Sequence, residues 1–210
     1  MAFKLHGSTG STCTRRVALI AKERNIPYEF IPVNMSVAEH KQPPHLQHQP
    51  FGQVPFIVQE DGFELFESRA IGRYLTTFGS GPQLIPTEPK AYAKFEQAAG
   101  IEYAQFDPIA AGITVEKIFK PRYGQATNEK HLEGLIAQFE SKLNGYEAIL
   151  GKQKYLAGDE VTLADLYHLP YGKWVFVDLG LGDLDKRPNL KRWWNDISSR
   201  PSWQAVKDGV

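Results

Sequence analysis

The sequence predicts an α/β domain built on a mixed four-stranded sheet, followed by an all-α helical bundle. Three observations carry that expectation. The first eighty residues alternate short β-branched or aromatic runs with helical apolar spacing; a Gly/Pro-rich stretch follows at Gly79-Ser80-Gly81-Pro82, Pro86 and Pro89; beyond it nearly every apolar residue recurs at helical spacing. At 210 residues the chain is long enough for two cores. The expected division is 1–80, a linker at 81–89, and 90–210.

Phe3 to His6 reads as a strand, and Gly7-Ser8-Thr9-Gly10-Ser11-Thr12 as a loop opening a helix through Arg16-Val17-Ala18-Leu19-Ile20-Ala21. Tyr28 to Val33 supplies a second strand and completes a βαβ crossover. Ser36 to Gln49 is polar and His-rich, and Pro43-Pro44 prevents a long regular helix. Val54 to Gln59 and Phe63 to Phe66 form a hairpin about Asp61-Gly62, and Ser68 to Phe78 closes the domain as a helix. The order βαβ then ββα is that of the thioredoxin fold.

In the second half, Tyr92, Phe95 and Ala99 lie on one helical stripe, and Leu132, Leu135, Ile136, Phe139, Leu143, Tyr146 and Leu150 on another. Pro108 predicts a break near Asp107, and Pro170 a bend midway along a helix from Ala164 to Phe176. Thr162-Leu163-Ala164-Asp165 reads as a capping box at that helix's start. Pro188 starts a last helix through Trp193-Trp194, whose rings read as core rather than a ligand cage.

Composition excludes several classes of function. Twenty-four basic residues balance twenty-four acidic ones, so neither a polyanion nor a strongly acidic partner is implied. No apolar run approaches the roughly 20 residues of a membrane span, and the N-terminal residues lack a signal core. One cysteine, Cys13, permits neither an internal disulfide nor a thiolate metal cluster. A soluble, cytoplasmic protein without metal, membrane or nucleic-acid partner is expected.

The chemistry concentrates in two segments. Pro50-Phe51-Gly52-Gln53-Val54-Pro55 is followed twelve residues after Pro55 by Glu67-Ser68-Arg69-Ala70-Ile71. An X-Pro bond adopts cis far more readily than other peptides, so Val54-Pro55 can turn a strand end outward and offer the Val54 amide and carbonyl to a peptide laid alongside. Ser68, at a helix start, offers a hydroxyl and neighbouring N–H groups to a carboxylate. Singly, Pro55 reads as a strand-edge residue and Ser68 as an N-cap. Together they point to a site that grips a peptide at its backbone and at an anionic end.

On these residues the chain resembles the glutathione transferase family over nearly its whole length. His6-Gly7, Ser11-Thr12 and Glu39-His40-Lys41-Gln42-Pro43 ahead of Phe51-Gly52-Gln53-Val54-Pro55 follow the order of its phi class, or of a fungal or plant-like relative. The resemblance implies glutathione as co-substrate. His40 and Lys41 would take its glycyl carboxylate, Gln53, Val54 and Pro55 its backbone, and Glu67 and Ser68 its γ-glutamyl end. Ser11 would be the catalytic hydroxyl, with Thr12 its neighbour and weaker counterpart.

Free thiols titrate near about 8.5, and lowering that to about 6.5 needs roughly 2.7 kcal/mol of preference for the thiolate. A charge-assisted hydrogen bond plus a helix-terminus dipole can supply it. Cys13 leaves a thiol-transferring chemistry open, although a lone cysteine is more often a small buried hydrophobe. Gly10 and Cys13 depart from the family's usual residues, which would loosen the sulfur site.

The resemblance also implies small hydrophobic electrophiles, peroxides among them, and a homodimer with Phe51 as a contact. The electrophile pocket is expected between the domains, with Met35, Phe106 and Phe119 lining it and Tyr103 or Tyr123 orienting a polar group. The competing readings are a ligandin-type carrier of apolar molecules, a Cys13-dependent thiol transferase, and an interaction protein that kept the fold without the chemistry.

Overall fold

The computed structural model describes residues 2–210; Met1, the first residue of the expected N-terminal domain, lies outside them. The first unit contains β1 (Phe3–Gly7), α1 (Thr12–Glu23), β2 (Tyr28–Pro32), α2 (Pro43–His48), β3 (Phe56–Gln59), β4 (Glu64–Phe66) and α3 (Ser68–Leu75). The sheet order is β2-β1-β3-β4, with β1 parallel to β2, and β3 antiparallel to both β1 and β4. This is the mixed βαβ–ββα sheet expected.

Side chains alternate across a strand, so Leu5 and its cross-strand partner Ile57 face one side, and His6 and its partner Phe56 the other. Leu5 and Ile57 are fully buried, as are Val17, Leu19 and Ile20 of α1 and Ile71 and Leu75 of α3. α2 covers the opposite face. There Phe56 stacks with His6 (4.3 Å between ring centres) and with His48 (5.0 Å), and His45 meets it edge-on. The prolines of α2 sit in its first turn, where a missing N–H costs nothing, and the segment ahead of it is two 3₁₀ turns at Met35–Val37 and Glu39–Lys41.

Two boundaries differ from expectation. The first unit continues through Ile85, because Arg24 at the end of α1 donates to the carbonyls of Phe78, Gly79, Gly81 and Pro82. It also recruits Arg200–Val210, assigned from sequence to the helical half. Arg15 Nη1 donates to the Lys207 carbonyl at 2.6 Å, and Glu23 accepts from both Arg200 and Ser202. Nothing local in sequence marks such a return of the chain end.

The second unit, Pro86–Ser199, is helical. α4 (Pro89–Ile101) is capped by Glu88, whose carboxylate accepts from Ala91 N at 2.8 Å. A wide π turn at Glu102–Phe106 separates it from α5 (Asp107–Thr114), so the break falls where Pro108 predicts. A second π turn and the short α6 (Lys120–Arg122) lead to α7 (Glu129–Leu150), which buries Leu132, Phe139, Leu143, Tyr146 and Leu150 and leaves Leu135 and Ile136 partly covered.

Pro170 does more than bend its helix. Its ring excludes the carbonyl four residues back, and the segment divides into α8 (Leu163–Leu166), α9 (Leu169–Gly172) and a π turn at Lys173–Asp178. The expected capping box stands at the start of α8. Asp165, fully buried, accepts from the Thr162 amide and hydroxyl, from Leu156 N and from Trp193 Nε1, all within 2.9–3.0 Å. Trp193 and Trp194 of α10 (Pro188–Ser198) are buried, as core residues should be. No helix among the described residues is long and apolar enough to cross a membrane.

Candidate functional site

Gly7 ends β1 at a point where the chain must pass close under α1. A Cβ there would stand 2.5 Å from Thr14 Cγ2, and Thr14 Oγ1 accepts from Ser8 N at 3.3 Å. Glycine therefore sets how closely the first turn of α1 approaches the sheet. Ser11 follows as the N-cap of α1: extended in backbone (φ −73°, ψ 127°), it accepts from Thr14 N at 3.3 Å through its side-chain oxygen. That bond occupies a lone pair of Oγ and leaves the hydroxyl proton available to a sulfur anion, beside the positive end of a twelve-residue helix.

Thr12 is buried, and Cys13 is half-buried with a free thiol. Cys13 Sγ lies 3.5 Å from Arg16 Nη1, the same nitrogen that donates to Ser68 Oγ at 2.9 Å. The thiol thus neighbours the arginine that reaches Ser68.

The loop before β3 is held from below by α2. His45 Nε2 and the Gln53 carbonyl are 2.7 Å apart; a carbonyl only accepts, so Nε2 carries the proton. Gln53 N donates to Gln49 Oε1 at 3.3 Å. Both main-chain groups of Gln53 are therefore engaged inside the protein, while its side chain is exposed. Val54 lies two residues ahead of the first ladder pair, His6 with Phe56. The Val54–Pro55 peptide is cis, and Pro55 is buried.

Gly52 has φ +60°, and a Cβ on it would meet Lys41 Cδ at 2.8 Å and the His40 carbonyl at 2.9 Å. The 39–41 turn consequently lies directly on this loop, and Lys41 Nζ donates to the Phe51 carbonyl at 3.3 Å. His40 is half-buried. Burial first, then the Lys41 charge and His45, hold its ring below the usual histidine range, so near neutral pH it is an uncharged donor–acceptor.

Glu67 takes φ +69° and ψ 107°, a conformation that costs a non-glycine residue about 1–3 kcal/mol and concentrates at functional sites. It precedes Ser68, the first residue of α3 and buried.

The apolar residues expected to line an electrophile pocket divide. Met35 and Phe119 are partly exposed, Phe119 meeting Trp174 edge-on. Phe106 is a correction: at 1 % exposure it is enclosed by Phe139, Tyr146, His168 and Phe176, which leaves no face for a ligand. An apolar side chain facing a core and one facing a cavity share the same helical stripe, so spacing cannot separate them. Tyr103 and Tyr123 are exposed on the second unit.

Sequence reasoning missed Arg16, His45 and Gln49. Arg16 carried a legible signal, since it shares a stripe with Cys13 and Ile20 on a helix otherwise apolar there. His45 and Gln49 carried none among so many polar neighbours. Among the described residues no group of three or more His, Cys, Asp and Glu side chains is arranged to hold a metal ion.

Comparison with known proteins bears on the whole chain. Residues 1–77 match the family model for the glutathione S-transferase N-terminal domain, and residues 106–201 that for the C-terminal domain. Glutathione S-transferase PM239X14 of Arabidopsis thaliana is 46% identical over 195 residues, covering 91% of this chain and 89% of that protein. Glutathione S-transferase hmp2 of the fungus Hypomyces subiculosus is 38% identical over 97% of this chain and 96% of its own length. Among solved structures, glutathione transferase F7 of Populus trichocarpa superposes with a TM-score of 0.92 at 38% identity, covering 97% of each chain. Glutathione S-transferase I from maize, solved with an atrazine–glutathione conjugate, gives 0.90 at 35% identity, covering 98% of this chain and 96% of its own.

Proposed function

Because the chain belongs to the glutathione S-transferase family, and to its phi class, we propose that it ionises bound glutathione at Ser11 and conjugates the sulfur to hydrophobic electrophiles. The observation that carries this reading is the Ser11 cap: its oxygen accepts from Thr14 N, so its remaining proton is a donor at the N-terminus of α1. The thiol proton leaves to solvent. The thiolate, stabilised by the Ser11 hydroxyl and the helix terminus, attacks an electrophilic carbon; on an aryl halide the C–S bond forms and halide departs with the bonding electrons.

The tripeptide is held at three places. Val54 pairs with its cysteinyl backbone. His40 and Lys41 take the glycyl carboxylate, one as a neutral ring donor and the other as a charge. Ser68, with the α3 terminus behind it, takes the γ-glutamyl carboxylate. Met35 offers accessible apolar surface on the first unit for the electrophile, and a bound thiolate would also reduce organic peroxides. The enzyme works in the cytoplasm as a homodimer, for which Phe51, 67 % exposed, is the proposed contact; Phe51→Ser should shift the protein to monomer in size-exclusion chromatography.

The central test is calorimetry with glutathione, alongside conjugation of an aryl halide. Binding with turnover supports the enzyme. Tight binding of an apolar dye without turnover would instead mark a ligandin-type carrier, and no uptake of glutathione by folded protein would end the proposal.

A further inference from the structure

Arg16 is the largest charged side chain wholly removed from solvent in the first unit, at 0% exposure. Burying a permanent charge is costly unless its surroundings use it. Its Nη1 reaches from the second turn of α1 to the first residue of α3, donating to Ser68 Oγ at 2.9 Å. Guanidinium nitrogens only donate, so the hydroxyl oxygen must receive this bond on a lone pair. The single Ser68 proton is then left to donate elsewhere, and a positive charge stands directly behind the oxygen that carries it.

We propose that Arg16 is a positioning residue for glutathione recognition: through Ser68 it fixes a hydroxyl that donates to the γ-glutamyl carboxylate and keeps that end of the site selective for an anion. The inference rests on the reading that Ser68 meets this carboxylate. It adds the device that decides which way the Ser68 hydroxyl works. Without Arg16 the hydroxyl can rotate and spend its proton on a neighbouring carbonyl, and the carboxylate loses both a donor and a nearby charge.

The test compares glutathione with γ-aminobutyryl-cysteinylglycine, the same molecule without the γ-glutamyl α-carboxylate, on full-length wild type, Arg16→Met, Arg16→Lys, Ser68→Ala and the Arg16→Met/Ser68→Ala double variant. Wild type should prefer glutathione. In Arg16→Met the glutathione KM should rise about tenfold or more, with kcat at saturation and the aryl-halide KM within about twofold and analogue binding unmoved. Adding Arg16→Met to Ser68→Ala should raise the glutathione KM by less than about threefold, since both act on one contact. Arg16→Lys retains a charge and a donor, and should recover most of the preference for glutathione.

A rise in KM that is equal for glutathione and the analogue, or additive effects of the two substitutions, would overturn the inference by reducing Arg16 to a strut between α1 and α3. If Arg16→Met does not fold, Arg16→Lys decides alone: weakening of both ligands in equal measure counts against it, and weakening of glutathione only counts for it. A wild type that binds both ligands equally would remove the Ser68 reading itself, a result distinct from any change between variants.

Discussion

His45 Nε2 donates to the carbonyl of Gln53 across 2.7 Å, so the short helix α2 fixes the height of the loop that presents Val54. His45→Phe keeps a ring edge-on to Phe56 and removes the donor. An unsatisfied buried carbonyl costs about 1–3 kcal/mol. We expect glutathione affinity to fall roughly tenfold by calorimetry, with the electrophile KM unchanged; unaltered affinity would show that the loop holds its shape without this bond.

Ser11→Ala removes the hydroxyl expected to stabilise the thiolate. The helix terminus stays in place, so the bound thiol should titrate only part of the way back toward about 8.5, and kcat at neutral pH should drop about tenfold. Ultraviolet absorption of the thiolate against pH measures the titration, and steady-state conjugation of an aryl halide measures kcat. Cys13→Ser should conjugate aryl halides at near wild-type rate. The reverse pattern, with conjugation surviving the first change and vanishing in the second, would transfer the chemistry to Cys13.

Gly7→Ala places a methyl group 2.5 Å from Thr14 Cγ2. Overpacking of this kind costs about 1–3 kcal/mol, and here it displaces the turn that carries Ser11. Reduced stability should come with reduced kcat. Thr14→Ala in the same chain removes the two closest clashing atoms, so the double variant should recover part of both; a double variant no better than Gly7→Ala would refute the steric account.

Stability should fall as pH drops from about 7 to about 5, with His6 contributing. Burial first, then the charges of His48, Lys4 and His45, hold its ring below the usual range, with Glu64 opposing. The unfolded chain protonates His6 near about 6.5 while the folded protein resists until lower pH, so between those values the unfolded state binds more protons and gains relative stability. Thermal unfolding of His6→Gln against pH should show a shallower decline than wild type. An unchanged slope would assign the effect elsewhere.

Asp165→Ala strips one acceptor group from four donors in the second unit. Stranding buried donors should cost about 4 kcal/mol, and the melting temperature should fall on the order of 10 °C. A loss under about 1 kcal/mol would mean that the box contributes little to holding α8.

The sequence by itself determined whatever depends on neighbours along the chain. The alternation that makes β1, β2 and β3, the prolines that divide the helices at Asp107 and before Pro170, the Thr162–Asp165 box and the serine at the mouth of α1 are all local, because strand period, proline's missing N–H and helix capping act over a few residues. Tertiary structure alone decided the rest. Phe106 and Phe119 look alike in sequence, yet one is enclosed by four rings and the other keeps an open face. Arg16 meets Ser68 across fifty-two positions, and Glu23 meets Ser202 across 179. Contacts at such separation are chosen by how the helices pack on the sheet, and no periodicity records which buried group will stand opposite which.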